Sequence, residues 1–252
     1  MVSEGLVSKT GLFFILSFYN SNGMKTAIVT GASGNMGQAV VKKFLAEGYR
    51  VLSTIVPNDP AGIDIKGKNF ETAIVDLMDE KAAQQFVEFA TAKHENIDAV
   101  VLTVGGFAMG KIAETKTTDI AKQYKLNFET AYNIARPVFV QMIQQGSGRI
   151  FLIGSRPGLD MRNSNGMMAY GLTKSLIFRL AELMNEEAKG TNVVISVVVP
   201  STIDTPQNRK SMPDADFNKW VKPEAIADVI YFHCSDEGAV LRESIIKVYG
   251  DS

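Results

Sequence analysis

Residues 24–51 read MKTAIVTGASGNMGQAVVKKFLAEGYRV, and the reading of this stretch decides the fold. TAIVT at 26–30 is a short, uncharged, largely β-branched run, as in a strand covered on both faces. The glycine-rich TGASGNMG at 30–37 follows at once. Val40, Val41, Phe44 and Leu45 then recur at helical spacing as far as Gly48, and a second apolar run begins. Strand, glycine turn, helix and strand make a βαβ unit. In that setting the glycines allow close backbone approach to a pyrophosphate at the helix N-terminus, where unpaired N–H groups and the helix dipole favour anions. A dinucleotide site is expected from this segment alone.

The pattern repeats along the chain. Strands are expected at 26–30, 49–56, 72–76, 98–104, 148–155, 192–200 and 244–249. Helical stretches fall at 36–47, 80–94, 118–145 with a break at Pro137, 169–189 and 223–235. Seven apolar strands interleaved with helices predict one α/β domain over 24–252, a Rossmann-like doubly wound parallel sheet with helices on both faces.

Composition narrows the function classes. Lys plus Arg total 26 against 27 Asp plus Glu, so no basic groove for nucleic acid and no basic membrane face is expected. The lone Cys234 excludes an intrachain disulfide and fits a reducing, cytoplasmic setting. His94 and His233, far apart and without clustered cysteines, give no metal site. GLFFILSFY at 11–19 is too short to span a bilayer as a helix. Residues 1–23 are read as an extension of uncertain role, with packing against the domain and targeting as alternatives. A chain begun at Met24 is expected to match the full chain in stability and activity.

YGLTK at 170–174 places Tyr170 and Lys174 four residues apart, on one face of a helix. Tyrosine ordinarily titrates near ~10, and a neighbouring ammonium stabilises its phenolate, so the pair is a candidate general acid/base. Around the same helix Leu172, Leu176, Leu180 and Leu183 form an apolar arc, and Arg179, Glu182 and Glu186 a narrow charged one. Phe178 lies on the flank away from the leucines, where one chain alone is expected to leave it in water. Such a surface predicts burial on two sides, the second against another copy.

Taken together, the glycine turn, YGLTK, Ser155 at the end of the fifth strand and Asn127 within the long helical run resemble the short-chain dehydrogenase/reductase family over residues 24–250. The resemblance implies an NAD(P)-dependent oxidoreductase acting on a small carbonyl or alcohol substrate, and a homo-oligomer, tetramer or dimer. It implies that Tyr170 gives or takes the proton and that Ser155 holds the substrate oxygen. Lys174 would hold the nicotinamide ribose and tune Tyr170, and Asn127 would bend its helix and place a relay water. The cofactor set it implies is Gly31, Ser33, Asn35, Met36, Gly37, Asp76, Gly105, Gly106, Tyr170, Lys174, Pro200, Ile203 and Thr205. Asp76 would bind the adenine or simply cap a strand end. Asn35 stands where the family has its middle glycine, and the tolerance of Asn for left-handed backbone is expected to preserve the loop. TVGG at 103–106 occupies the place of the family's NNAG, with glycines at its last two positions and no asparagine.

An acid at the end of the second strand selects NAD and a base NADP. Ile55 and Val56 stand there, so either cofactor is possible. DTPQNRKSMPDADFNKW at 204–220, VGGFAMG at 104–110 and MMAYGLTK at 167–174 also resemble the dihydropteridine reductase branch, which makes a pterin the alternative substrate. Ser155 favours a carbonyl, because a quinonoid pterin needs no hydroxyl to polarise it. A non-catalytic dinucleotide sensor is the rival class, and such proteins commonly lose the Tyr–Lys pair that this chain keeps. Arg209 and Lys210 are candidates for a lid over an anionic substrate or for a solvated basic surface.

Overall fold

A computed structural model describes residues 23–59, 62–162, 164–242 and 244–251. The expectations for residues 1–22 lie outside the described residues. Strands β1 (Thr26–Thr30), β2 (Arg50–Ile55), β3 (Phe70–Ile74), β4 (Ala99–Leu102), β5 (Ser147–Ile153), β6 (Asn192–Pro200) and β7 (Ile245–Val248) form one sheet. Helices α1 (Asn35–Ala46), α2 (Glu80–His94), α3 (Thr117–Tyr124), α4 (Thr130–Gln145), α5 (Arg156–Leu159), α6 (Met168–Glu187), α7 (Pro206–Ser211) and α8 (Pro223–Phe232) connect them.

The strand order is β3-β2-β1-β4-β5-β6-β7, and every pairing is parallel. This is the α/β architecture expected. The order reverses between β1 and β4, and the crevice beyond their C-terminal ends is the place where such sheets bind ligands. Alternation along each strand feeds two cores. Ile28, Val100, Leu102, Ile150, Leu152 and Val197 face α2, α4 and α6. Ala27, Val29, Ala99, Val101, Phe151 and Val198 face α1 and α8.

Three expectations are corrected. β3 runs over 70–74 rather than 72–76, because its only partner strand, β2, ends at Ile55, paired with Ile74. Asp76 therefore lies in the turn beyond the strand. The long helical run does not break at Pro137, which sits inside continuous α4. It widens instead into a π turn at Lys125–Glu129, where the Thr130 N–H reaches back to the Lys125 carbonyl.

The third correction concerns α6. Phe178 is 5% exposed, buried by its own chain. A Cβ on Gly154, just beyond β5, would meet the Phe178 ring at 2.9 Å. Lys174, Ile177, Phe178 and Ala181 form the inward face. The leucines divide: Leu180 is buried, while Leu172, Leu176 and Leu183 are 45%, 37% and 65% exposed. The sheet takes the stripe carrying Phe178 because Gly154 leaves room for a ring there. Phe178→Ala is expected to lower unfolding free energy by about 3–5 kcal/mol, measured by urea denaturation. A loss under about 1 kcal/mol would show that the ring is not part of the core.

Candidate active site

At the end of β1 the chain turns through Gly31 at φ +64°. A Cβ there would lie 2.9 Å from the Val104 side chain, beyond β4. Gly37 is packed more tightly still, since its Cβ would sit 2.2 Å from the Gly31 carbonyl oxygen. Gly37 is therefore required by the turn itself, before any ligand is considered. Asn35 does not use left-handed backbone: the only non-glycine residues of positive φ among those described are Asn58 and Glu95. It begins α1 as an ordinary helical residue, so no special tolerance is called on.

Gly34 precedes α1, no side chain caps the helix, and its first turn holds no acid. Uncapped N–H groups at the positive end of a helix suit a phosphate, and the residues present fit a dinucleotide. Thr103 joins the two strands of the crevice, its hydroxyl donating to the Thr30 carbonyl at 2.6 Å and its N–H to Thr30 Oγ1 at 3.1 Å. Ser33 accepts from Gln38 Nε2 through its carbonyl at 2.8 Å, and Met36 packs partly into the α1 core.

At the end of β2, Ile55 is half-buried and Val56 is 55% exposed. Arg50 lies at the other end of the strand, donating to His94 Nδ1 at 2.9 Å. Asp76 is exposed and accepts from the Met78 N–H at 3.0 Å. Pro200 closes β6, and Ile203 bridges to Val221. Thr205 caps α7, accepting from the Asn208 N–H at 3.1 Å, and Asn208 Nδ2 donates to the Ile203 carbonyl at 2.8 Å. Arg209 is held in an ion pair with Asp204 and lies 4.8 Å from the centre of the Phe217 ring.

The structure brings the four proton-transfer candidates together. Ser155 is 6% exposed, and its Oγ accepts from the Gly158 N–H at 3.2 Å as the N-cap of α5. The Ser155 hydroxyl lies close enough to that of Tyr170 to act on its ionisation. Burial raises the Tyr170 pKa, and the Ser155 hydrogen bond draws it back toward phenolate. Lys174 is 5% exposed, and its Nζ donates to the Ile153 carbonyl at 2.8 Å. Burial without a paired anion pushes it down to about 8.

Asn127, in the π turn, clamps Gly106: its Oδ1 accepts from the Gly106 N–H at 2.8 Å and its Nδ2 donates to the Gly106 carbonyl at 3.0 Å. The same Nδ2 donates to buried Gln123 Oε1 at 2.8 Å, which fixes the orientation of the amide. A Cβ on Gly105 would meet Asn127 Oδ1 at 2.8 Å and Lys174 Nζ at 3.1 Å, so this glycine marks where the two converge. Gly158 likewise has room for hydrogen only, a Cβ meeting Lys174 backbone at 2.7 Å. Sequence reasoning missed Gln123 and Gly158. The i,i+4 spacing of Gln123 and Asn127 was the available signal for the first.

The sign of the Lys174 linkage follows from its lowered pKa. The folded state bears the cost of a desolvated ammonium below pH about 8, and is relieved of it as pH rises toward the 10.5 of a solvated lysine. Lys174→Met is therefore expected to raise the melting temperature of the cofactor-free protein at pH 7 by roughly 2–6 °C while abolishing turnover. The gain should shrink between pH 8 and 10 in calorimetry, and a destabilised variant at pH 7 would refute this account.

Among the described residues no cluster of three or more His, Cys, Asp or Glu could hold a metal, and no helix is long and apolar enough to cross a membrane.

Residues 25–216 match the short chain dehydrogenase family. The chain is 24% identical over 241 residues to an acetoacetyl-CoA reductase of Acinetobacter sp. (strain RA3849), covering 90% of this chain and 96% of that protein. It is 26% identical over 213 residues to the dihydropteridine reductase of Dictyostelium discoideum, covering 82% and 86% respectively. The solved structure of ElxO with NADP bound superposes with a TM-score of 0.82 at 22% identity, over 90% of this chain and 98% of that one. With the family match spanning most of the chain, the protein belongs to the short-chain dehydrogenase family and is an NAD(P)-dependent oxidoreductase.

Proposed function

We propose that the protein interconverts a carbonyl compound and its alcohol, with Tyr170 as the general acid/base. What supports this reading is the buried Ser155 hydroxyl, which accepts from the Gly158 N–H and favours the phenolate of Tyr170. Two hydroxyls held together in a mostly buried site can bind one substrate oxygen, Ser155 as hydrogen-bond donor and Tyr170 as proton donor. A bound nicotinamide dinucleotide would supply two-electron transfer to or from carbon. The N-terminus of α1 and residues Gly31, Ser33, Asn35, Met36 and Gly37 would hold its phosphates, and Asp76 its adenine. Gly105, Gly106 and Lys174 would bind the ribose side, and Pro200, Ile203 and Thr205 the nicotinamide end.

In reduction Tyr170 delivers its proton to the substrate oxygen, and Lys174 and Asn127, meeting at Gly105, begin the route by which it is replaced. A Lys174 pKa near 8 lets that group exchange protons at physiological pH. The pterin reading keeps one support, the similarity to the Dictyostelium dihydropteridine reductase. The Ser155–Tyr170 pairing favours the carbonyl. Tyr170→Phe is expected to cut kcat by roughly 10²–10⁴-fold while cofactor affinity, read by fluorescence titration, stays within about twofold. Near-normal turnover by Tyr170→Phe would overturn the mechanism. Cofactor binding without turnover of any ketone, aldehyde, alcohol or quinonoid dihydropterin would favour a sensor.

We further place the protein in the cytoplasm as a homotetramer or dimer. Leu172, Leu176 and Leu183 on α6, with Tyr132 and Val140 on α4, leave apolar surface on two of the three helices that cover one face of the sheet. Burying it against a second copy accounts for leucines that the chain's own core does not use. Leu176→Glu combined with Leu183→Glu is expected to lower the mass measured by light scattering at micromolar concentration. An unchanged mass would remove α6 from the interface.

A further inference from the structure

The loop that follows β4 is held at both ends. Asn127 clamps Gly106, the Gly110 N–H donates to the Gly166 carbonyl at 2.7 Å, and the Met168 N–H donates to the Gly110 carbonyl at 3.2 Å. Between these fixed points Phe107 is 58% exposed and Met109 64% exposed. The Phe107 ring meets the Tyr170 ring edge to face, with centroids 5.0 Å apart and planes at 78°. Whatever lies on the open side of Phe107 is thus one ring's width from the proton donor.

A second loop, after α5, brings another exposed apolar side chain against α6. Met161 is 53% exposed, and its Sδ lies 3.5 Å from where a Cβ on Gly171 would stand, beside Tyr170 on α6. The Met109 Cε is 3.1 Å from the corresponding point on Gly166. Two guanidiniums, Arg162 and Arg209, are engaged within the chain, with Asp160 and Asp204 respectively. Large apolar side chains left exposed around a reactive group mark a binding site, and methionines adapt their shape to what they bind.

We propose that Phe107, Met109 and Met161 form a clamp that selects a carbonyl substrate by an apolar substituent, an alkyl chain or an aryl ring attached to the carbonyl carbon. This rests on the assignment of Tyr170 as proton donor. The substituent lies along Phe107 and between the two thioethers while its oxygen reaches Tyr170 and Ser155. Burial of successive methylenes between these side chains sets the preference.

The test is kcat/KM for the methyl ketones from 2-butanone to 2-nonanone and for acetophenone, with NADH and with NADPH, using the full chain. A 3-oxo acid serves as the anionic comparison. The value is expected to rise roughly two- to fourfold per methylene over the first several members. In the double variant Met109→Gln, Met161→Gln the ratio of 2-nonanone to 2-butanone is expected to fall at least about tenfold, within the range that such contacts discriminate. Phe107→Ala should lower the acetophenone value relative to 2-butanone. Turnover with no dependence on chain length, an unchanged slope in the double variant, or preference for the 3-oxo acid would overturn the clamp and leave Tyr170 chemistry standing. Dinucleotide binding with no turnover of any member would overturn both.

Discussion

Burying the Lys174 ammonium against the C-terminal end of β5 constrains everything around it. Among the described residues the charge has one hydrogen-bond partner, the Ile153 carbonyl, and no paired anion, so α6 must be held tightly enough to offset its desolvation. Gly158 allows α5 to lie directly on Lys174, and Gly105 leaves room where its Nζ meets Asn127. On the next turn of the same face Ile177, Phe178 and Ala181 enter the core shared with β6 and α4. Hydrophobic burial along α6 thus supports the one position on it that burial penalises.

Ser155 links this helix to the sheet. It lies two residues beyond β5, and its oxygen caps α5 by accepting from the Gly158 N–H. A single side chain therefore starts a helical turn and draws down the pKa of a phenol that burial raises. Such double use gives a rigid site without additional residues. The same economy holds at the switch point of the sheet. Thr103 ties β4 to β1 where the crevice opens, and Gly37 lies against the Gly31 carbonyl, so the shape of the turn is set before any phosphate arrives.

The apolar loops at the entrance belong to a different stability class. They add little to the core, since Phe107, Met109 and Met161 keep much of their surface exposed. Their backbones are nonetheless fixed at Gly106 and Gly110. Side chains free to adapt on a pinned backbone suit recognition of a substrate rather than folding.

The doubly wound fold was legible in the sequence because covered parallel strands are near-continuous apolar runs and the glycine turn has few other uses. Tyr170, Lys174, Ser155 and Asn127 were legible as types at spacings. Their relations were not. Helical periodicity shows that α6 has two apolar sides but not which one a sheet takes. That depended on Gly154, which makes room for the Phe178 ring from a segment more than 20 residues away. Local sequence likewise placed a lysine one turn from a tyrosine, but only packing shows that the lysine donates to the Ile153 carbonyl and that Ser155 acts on the phenol. Propensity and period act along the chain and are readable there. Which buried donor meets which acceptor is settled by distance in three dimensions, after the helices have docked.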